Sequence, residues 1–174
     1  VPVFSFSKLT RVDVTLGPEM KSTGEVMGKD STLEKALYKG LIGAGRKVPL
    51  HGSILFTIDD VNKPEAARLA KRFYDIGFKI WATRGTSRYF NELNIPTKIG
   101  YKIEEETENL ISLIQKGKVQ YVVNTTNKGK QSMNDGFLIR RTSVENGVPC
   151  LTSMDTVEAM LKVIESMTFK MEKM

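Results

Sequence analysis

The feature that most constrains the fold of this chain is a short, almost continuously apolar run at residues 54–58, which reads Ile-Leu-Phe-Thr-Ile. A strand with consecutive apolar residues is buried on both faces, as in a parallel sheet that helices cover on each side. A helix signal follows, because Asn62 and Pro64 suit a helix start. Apolar residues then recur at helical spacing as far as Phe73. The chain is therefore expected to alternate strands and helices.

The same alternation continues towards the C-terminus. The predicted strands cover residues 54–58, 78–82, 97–102, 120–124 and 147–151. The predicted helices run from Ser31 to the glycines at 40–45 and over residues 62–77, 86–93, 106–115 and 139–145, with a loop at 125–135 and a last helix striped by Val157, Met160, Leu161 and Ile164. Strands joined by helices of this length imply right-handed crossovers. The predicted fold class is α/β, a doubly wound, Rossmann-like three-layer α/β/α sandwich with a five-stranded parallel sheet.

The first 28 residues differ from the rest, because glycine and proline interrupt every periodic pattern there. Helical spacing begins only at Ser31, which precedes Glu34 at the spacing of a capping box. We therefore expect residues 1–28 to be an irregular segment of another domain of a longer protein, beginning in a strand. Residues 29–174 are expected to form the main domain.

The loop after the predicted strand 78–82 carries the first candidate site residues. In doubly wound sheets, ligands bind at the carboxyl ends of the strands, where the strand order reverses. Here the chain reads Thr83-Arg84-Gly85-Thr86, and a helix is expected to begin at the end of this loop. Amide groups and the positive dipole end of a helix favour an anion such as phosphate, and Gly85 allows close approach of the backbone.

Other loops at the same predicted edge add residues of compatible chemistry. These are Lys63, Lys102, Asn124, Thr125 and Thr126. Lysines supply charge to a phosphate, and an amide with hydroxyls suits a ribose or a base edge. The sequence therefore predicts a nucleotide or phosphate site at this edge.

Signals of other chemistry are weak. The sequence has neither the dinucleotide Gly-x-Gly-x-x-Gly fingerprint nor a P-loop. His51 precedes the first buried strand, at the end away from the site, and a structural or surface role is expected. Asp59 and Asp60 are expected to form a turn, with a general base as the alternative. Arg140 and Arg141 are expected on a solvated helix face, with contact to an anion or a partner subunit as the alternative.

The composition limits which cellular compartment and which classes of partner suit this protein. The single cysteine, Cys150, excludes an internal disulfide and a multi-cysteine zinc site, which suits the cytosol, and we expect it to be a small core residue. No apolar stretch is long enough to span a membrane. The net charge of +6 permits an anionic partner, but the 26 basic residues are scattered among 20 acidic ones. Neither nucleic acid nor a membrane is therefore expected as a partner.

Residues 16–28, Leu-Gly-Pro-Glu-Met-Lys-Ser-Thr-Gly-Glu-Val-Met-Gly, resemble the end of the second ATP-grasp domain of carbamoyl phosphate synthetase large subunits. The rest resembles the allosteric domain that follows it, through the motifs at residues 82–86, 123–126 and 138–141. The resemblance implies that residues 1–28 are the remnant of the ATP-grasp domain. It also implies that residues 29–174 are an allosteric domain with a methylglyoxal-synthase-like fold.

The resemblance further implies a function. Such a domain performs no catalysis, needs no cofactor or metal of its own, and binds a phosphorylated effector: uridine mono- or triphosphate, inosine monophosphate or phosphoribosyl pyrophosphate. The effector controls the synthesis of carbamoyl phosphate for pyrimidine and arginine biosynthesis. The parent enzyme is a cytoplasmic ligase that uses ATP with Mg or Mn and K, works with a glutaminase small subunit, and can form oligomers. Carried over by motif, the effector pocket comprises Lys63, Thr83, Gly85, Thr86, Lys102, Asn124 and Thr126.

Two departures from known patterns refine this expectation. Members of the family activated by ornithine carry Tyr-Asp-Thr beside the fifth strand, where residues 148–152 read Val-Pro-Cys-Leu-Thr. Regulation by pyrimidine nucleotides, as in the bacterial type, is therefore favoured over ornithine. N-acetylglutamate is disfavoured because the relatives that it activates replace the second lysine region and have a different Asn-rich loop. The alternative is methylglyoxal synthase, a lyase of the same fold that acts on dihydroxyacetone phosphate. That family carries a catalytic Gly-Gly-Asp stretch where this chain has Gly100-Tyr101-Lys102, so a cation replaces the general base.

Overall fold

The computed structural model describes residues 1–4, 18, 20–101, 109–125 and 130–171. The strands of this part of the chain are β1 (Pro2–Phe4), β2 (Ser22–Glu25), β3 (Ser53–Thr57), β4 (Lys79–Thr83), β5 (Thr97–Gly100), β6 (Tyr121–Asn124) and β7 (Cys150–Leu151). Its helices are α1 (Leu33–Gly43), α2 (Lys63–Asp75), α3 (Arg84–Glu92), α4 (Leu110–Gln115), α5 (Lys130–Glu145) and α6 (Met154–Met171).

The main sheet is parallel throughout, with the strand order β5-β4-β3-β6-β7. The chain moves outward from β3 to β5 and then returns to the other side of β3 to form β6 and β7. The strand order thus reverses between β3 and β6, and the crevice at their carboxyl ends is where ligands bind in such sheets. The predicted α/β class with a five-stranded parallel sheet is confirmed.

Side chains of β3 alternate between two apolar cores, one on each face of the sheet. Ile54 and Phe56 belong to the larger core, which also contains residues of α2, α3 and α6. Leu55 belongs to the smaller core, with residues of α4 and α5. In the larger core the Phe56 ring makes edge contacts with the rings of Phe73 and Phe90, at centroid distances of 6.4 Å and 5.5 Å. Burial on both faces therefore explains the consecutive apolar residues.

Helices α1 and α3 begin close to the predicted residues but not at them. The N-cap of α1 is Thr32, whose hydroxyl accepts a first-turn amide at 3.5 Å, because Ser31 is bonded to Asp30 instead. Helix α3 begins at Arg84 rather than Thr86, which makes the last residue of β4 its N-cap. The strand-to-helix turn of the candidate site is therefore tighter than predicted.

The two edge strands of the main sheet are shorter than predicted. Strand β5 ends at Gly100, and the helix that follows it is described from Leu110 onward. Strand β7 contains only Cys150–Leu151. Pro149 has no backbone N–H and contributes only its carbonyl, which accepts from Val122 N at 2.9 Å. Proline ends the regular pairing there.

The largest difference concerns α5. We expected a loop at residues 125–135 and a helix only from residue 139, but the helix already begins at Lys130. Residues 126–129 lie outside the described part of the chain. Gly136 and its polar neighbours resemble a loop in sequence, whereas Ile139 packs in the smaller core. Tertiary packing therefore outweighs a weak local propensity.

The N-terminal segment contributes a separate two-stranded sheet, in which β1 and β2 pair antiparallel. The strand predicted at the start of the chain is confirmed, whereas β2 was not predicted because it contains Gly24. Residues 5–17 and 19, including part of the segment that resembles an ATP-grasp domain, lie outside the described residues. The domain boundary at residue 28 stays a prediction. Within the described residues, no helix is long and apolar enough to cross a membrane.

Candidate functional site

Polar residues lie side by side at the carboxyl edge of the main sheet. Thr57 of β3 pairs in register with Asn124 of β6, and Thr83 of β4 pairs with Gly100 of β5. The residues directly before Thr57 and Thr83 also pair, so these two threonines are neighbours. A cavity of about 690 Å³ covers this row. Its volume is within the range of pockets that hold small molecules.

The turn between β4 and α3 forms one wall of this cavity. Thr83 and Gly85 line it, and Thr86 lies buried beneath them. Thr83 Oγ1 donates to Thr86 Oγ1 at 3.1 Å, and Thr86 Oγ1 donates to the carbonyl of Ile58 at 3.5 Å. The Thr86 hydroxyl therefore ties the turn to the end of β3. First-turn amides of a helix, here those of α3, point towards its N-terminus, where an anion can accept from them.

Lys63 supplies a positive charge beside this turn. Its side chain is 17% exposed, and its Nζ lies 2.6 Å from Asp60 Oδ1. The same ammonium is 3.7 Å from the point where a β-carbon of Gly85 would lie. An anion bound at the start of α3 would therefore contact both the turn and Lys63, and it would compete with the exposed Asp60 carboxylate.

Asn124 forms the opposite side of the cavity and belongs to a buried hydrogen-bond network. Its Nδ2 donates to Thr57 Oγ1 at 2.6 Å, and Thr57 Oγ1 donates to the Val123 carbonyl at 3.1 Å. Arg140 Nη1 donates to Asn124 Oδ1 at 2.8 Å. The expected solvated face for Arg140 and Arg141 is wrong, because only 4% and 8% of these residues are exposed. The packing of α5 against β6 explains the error for Arg140, because its partner Asn124 belongs to β6.

Thr125 and Asp59 close the crevice between β3 and β6. Thr125 Oγ1 accepts from the backbone N–H of Asp59 at 3.0 Å. The carboxylate of Asp59 accepts from the backbone N–H and the side chain of Asn62, so the predicted turn is confirmed. Asn62 precedes α2 but makes no side-chain cap, contrary to its expected role. The threonine and the aspartate thus hold the loop that positions Lys63.

The predicted site is therefore partly assembled in the described residues. Thr83, Gly85, Asn124 and Thr125 line the cavity, with Thr86 beneath it and Lys63 beside it. Lys102 and Thr126 lie outside the described residues. The other described residues that line the cavity were not among the predicted binding residues: Thr57, Ile58, Asp59, Arg84, Arg88, Gly100, Leu110, Asp135, Gly136 and Ile139. A helical pattern recognised from residue 130 onward would have placed the last three at this edge.

A second cavity, of about 460 Å³, lies along β7 between β1, α1 and α6. Residues 148–152 line it, together with Phe4 and Arg46. The Arg46 guanidinium lies 5.4 Å from the centroid of the Phe4 ring, and burial lowers its pKa. None of the predicted site residues that the structure describes lines this cavity. The crevice at the strand ends is therefore the candidate site.

A comparison with protein families agrees with the geometry. The family model described as MGS-like domain matches residues 65–152, which is just over half of the chain. The chain belongs to the MGS-like domain family. The match runs from α2 to the end of β7, so it contains the β4–α3 turn, Asn124 and Arg140. Lys63 lies two residues before the matched part.

Proposed function

We propose that this MGS-like domain is a regulatory domain that binds a phosphorylated nucleotide at the carboxyl edge of its sheet. The supporting observation is the position of Lys63 beside Gly85 at the start of α3, next to the cavity of about 690 Å³. A helix N-terminus with an adjacent lysine suits a phosphate group. The remainder of the cavity extends from there to Asn124.

The width of the sheet favours a nucleotide over a bare phosphate. Thr83 lies on β4 and Asn124 on β6, with β3 between them. Neighbouring strands are about 4.8 Å apart, so these two residues are separated by about 10 Å. A phosphate at the α3 turn does not reach Asn124, whereas the sugar and base attached to it span this distance. Nucleoside monophosphates are therefore the smallest ligands that use both walls.

The parent protein that we propose is the large subunit of a carbamoyl phosphate synthetase of the pyrimidine-regulated bacterial type. The supporting observations are the resemblance of residues 16–28 to an ATP-grasp domain end and the MGS-like domain that follows. On this proposal the domain is non-catalytic and cytoplasmic. Its partners are the other domains of the large subunit, which use ATP with a metal ion, and the glutaminase subunit.

Regulation requires that the effector bind two states of the parent enzyme with unequal affinity. The α3 and α2 starts meet at the proposed phosphate position, because Lys63 begins α2 and Gly85 lies in the first turn of α3. An effector that bridges them fixes their relative position. Neighbouring domains that contact these helices then sense whether the site is filled.

Calorimetric titration of the 174-residue chain tests this proposal. We expect binding of uridine monophosphate, inosine monophosphate or phosphoribosyl pyrophosphate, and no binding of ornithine or N-acetylglutamate. Lys63→Met and Thr83→Val should each weaken binding by about 1 to 3 kcal/mol, as loss of a hydrogen bond to a charged group does. Lys71→Met is the matched control, since Lys71 also lies on α2 and pairs with a carboxylate, Asp75, away from the cavity. Absence of binding by every nucleotide would refute the proposal.

A second candidate function is a lyase of the methylglyoxal synthase type. The observation in its favour is that two carboxylates, Asp59 and Asp135, line the cavity. Such a lyase needs a base that removes a proton from dihydroxyacetone phosphate. Incubation of the chain with dihydroxyacetone phosphate, followed by assay of methylglyoxal and phosphate, separates the two functions. We expect neither product, and steady formation of both would favour the lyase.

A further inference from the structure

Asn124 is the only neutral amide side chain among the described residues that line the larger cavity, and it is 4% exposed. Both ends of its amide already have a partner inside the protein. Oδ1 accepts from Arg140 Nη1 at 2.8 Å, and Nδ2 donates to Thr57 Oγ1 at 2.6 Å. The amide is therefore held at two points before any ligand binds.

The chemistry of the partners fixes which way the amide faces. A guanidinium can only donate hydrogen bonds, so the oxygen of Asn124 must face Arg140. The Thr57 hydroxyl donates its proton to the Val123 carbonyl and thus accepts from Asn124. A reversed amide would place NH₂ against the guanidinium. Among the bonds of the described residues, one Nδ2 hydrogen of Asn124 is used by Thr57, so the second Nδ2 hydrogen is the polar group that can donate to a ligand.

Arg140 occupies a position where a charge is costly. Only 4% of Arg140 is exposed, and its neighbour along α5, Gly136, leaves room for it. A β-carbon at Gly136 would come within 3.0 Å of Arg140 Nη1 and 3.5 Å of Asn124 Oδ1. A protein with an apolar side chain of similar volume in such a place is usually no less stable than one with a buried charge there. The helix therefore places a costly guanidinium and a glycine against the Asn124 amide.

We propose that Arg140 is a positioning residue of the nucleotide site. Its guanidinium holds Asn124 Oδ1, so that the remaining Nδ2 hydrogen donates to an oxygen of the nucleoside part of the ligand. The phosphate, about 10 Å away at the α3 turn, does not depend on this arrangement. This inference rests on the proposed function and adds a determinant of nucleoside recognition to it.

The test compares two probes, uridine monophosphate and inorganic phosphate, on variants of the 174-residue chain. Arg140→Met should weaken uridine monophosphate binding about tenfold, the effect of one lost hydrogen bond, and leave phosphate binding within about twofold. Arg140→Lys retains a donor and should restore part of the affinity. Arg141→Met is the matched control, because Arg141 is also buried but bonds to Glu145, and it should change neither affinity.

A double-mutant cycle separates positioning from a general structural role. In an Asn124→Ala background, Arg140→Met should cause no further loss of uridine monophosphate affinity, since the amide that it positions is gone. Equal losses in both backgrounds, or an unchanged affinity of Arg140→Met, would overturn the inference while the proposed function stands. If the wild-type chain binds none of the nucleotides, the proposed function fails instead.

Thr57→Val provides a second route that leaves α5 unaltered. Valine has a shape similar to that of threonine but cannot accept a hydrogen bond, so this variant removes the other anchor of the Asn124 amide. It serves as the test if Arg140→Met does not fold. We expect about fivefold weaker binding of uridine monophosphate and unchanged binding of phosphate. Unchanged binding of both probes by Thr57→Val would contradict the proposed role of the network.

Discussion

A methyl group at Gly85 separates the binding role of the α3 turn from its structural role. A β-carbon built at Gly85 meets Lys63 Nζ at 3.7 Å, an ordinary van der Waals separation, and the residue has no positive φ. Alanine in a helix is more stable than glycine by about 0.5 to 1 kcal/mol. For a chain of this size, Gly85→Ala should therefore raise the melting temperature by about 1 to 4 °C.

The same methyl group occupies the space between the turn and Lys63 where we place the phosphate. An anion that contacts both the first-turn amides and the ammonium must approach the Gly85 α-carbon closely. Loss of one charge-assisted hydrogen bond costs about 1.5 to 3 kcal/mol, which weakens nucleotide binding by roughly 10- to 150-fold. Calorimetric titration and thermal unfolding of the same sample measure both effects.

Gly24→Ala is the matched control for this prediction. Gly24 lies on β2, and within the described part of the chain no atom is within 4 Å of an added β-carbon there; it is not among the described residues that line the cavity. It should leave nucleotide affinity unchanged. The reasoning is refuted if Gly85→Ala folds stably and binds uridine monophosphate as tightly as the wild type, because the space beside Lys63 is then not the phosphate position.

Three further perturbations follow from the structure. Asp60→Asn removes the carboxylate that lies 2.6 Å from Lys63 Nζ, so titration should show about two- to fivefold tighter binding of an anion. Weaker binding would contradict the idea that Asp60 competes with the anion for Lys63. Phe56→Ala leaves a cavity between Phe73 and Phe90, and urea unfolding should show a loss of about 3 to 5 kcal/mol; a loss below about 1 kcal/mol would contradict the packing. Burial raises the pKa of the Tyr121 phenol in the folded protein above its value of about 10 in the unfolded protein. The stability that the neutral phenol contributes is therefore present below about pH 10 and is lost as the pH rises towards the pKa of the folded protein. In unfolding experiments above about pH 10, the free energy of unfolding of Tyr121→Phe should therefore fall less steeply with pH than that of the wild type. An equal slope for both proteins would contradict this role of Tyr121.

Local signals in the sequence were sufficient for most of the sheet and for placing the candidate residues at one of its edges. Four apolar residues and one threonine at 54–58 indicate burial on both faces, and Thr83 and Gly85 lie where a strand ends and a helix begins. Because parallel strands end at one edge, the sequence order alone brings Lys63, Gly85 and Asn124 together. These inferences depend on neighbours in sequence and on one general rule of topology.

The features that sequence reasoning missed depend on distant partners. Arg140 is buried, and Asn124, which lies 16 residues earlier on a strand, accepts a hydrogen bond from it. No local periodicity reveals such a partner, and arginine is most often exposed. The start of α5 was missed for a related reason, since Gly136 weakens helix propensity while its close approach to Arg140 and Asn124 favours glycine at that position.

The most direct test of phosphorylated-nucleotide binding at the sheet edge is a chemical-shift titration of the ¹⁵N-labelled chain with uridine monophosphate. We predict that the largest amide shifts fall on Gly85, Thr86 and Thr125 and on the Asn124 side-chain amide. Amides of residues 148–152, which line the second cavity, should shift little. Shifts concentrated at residues 148–152, or no shifts at saturating nucleotide, would contradict the proposed site.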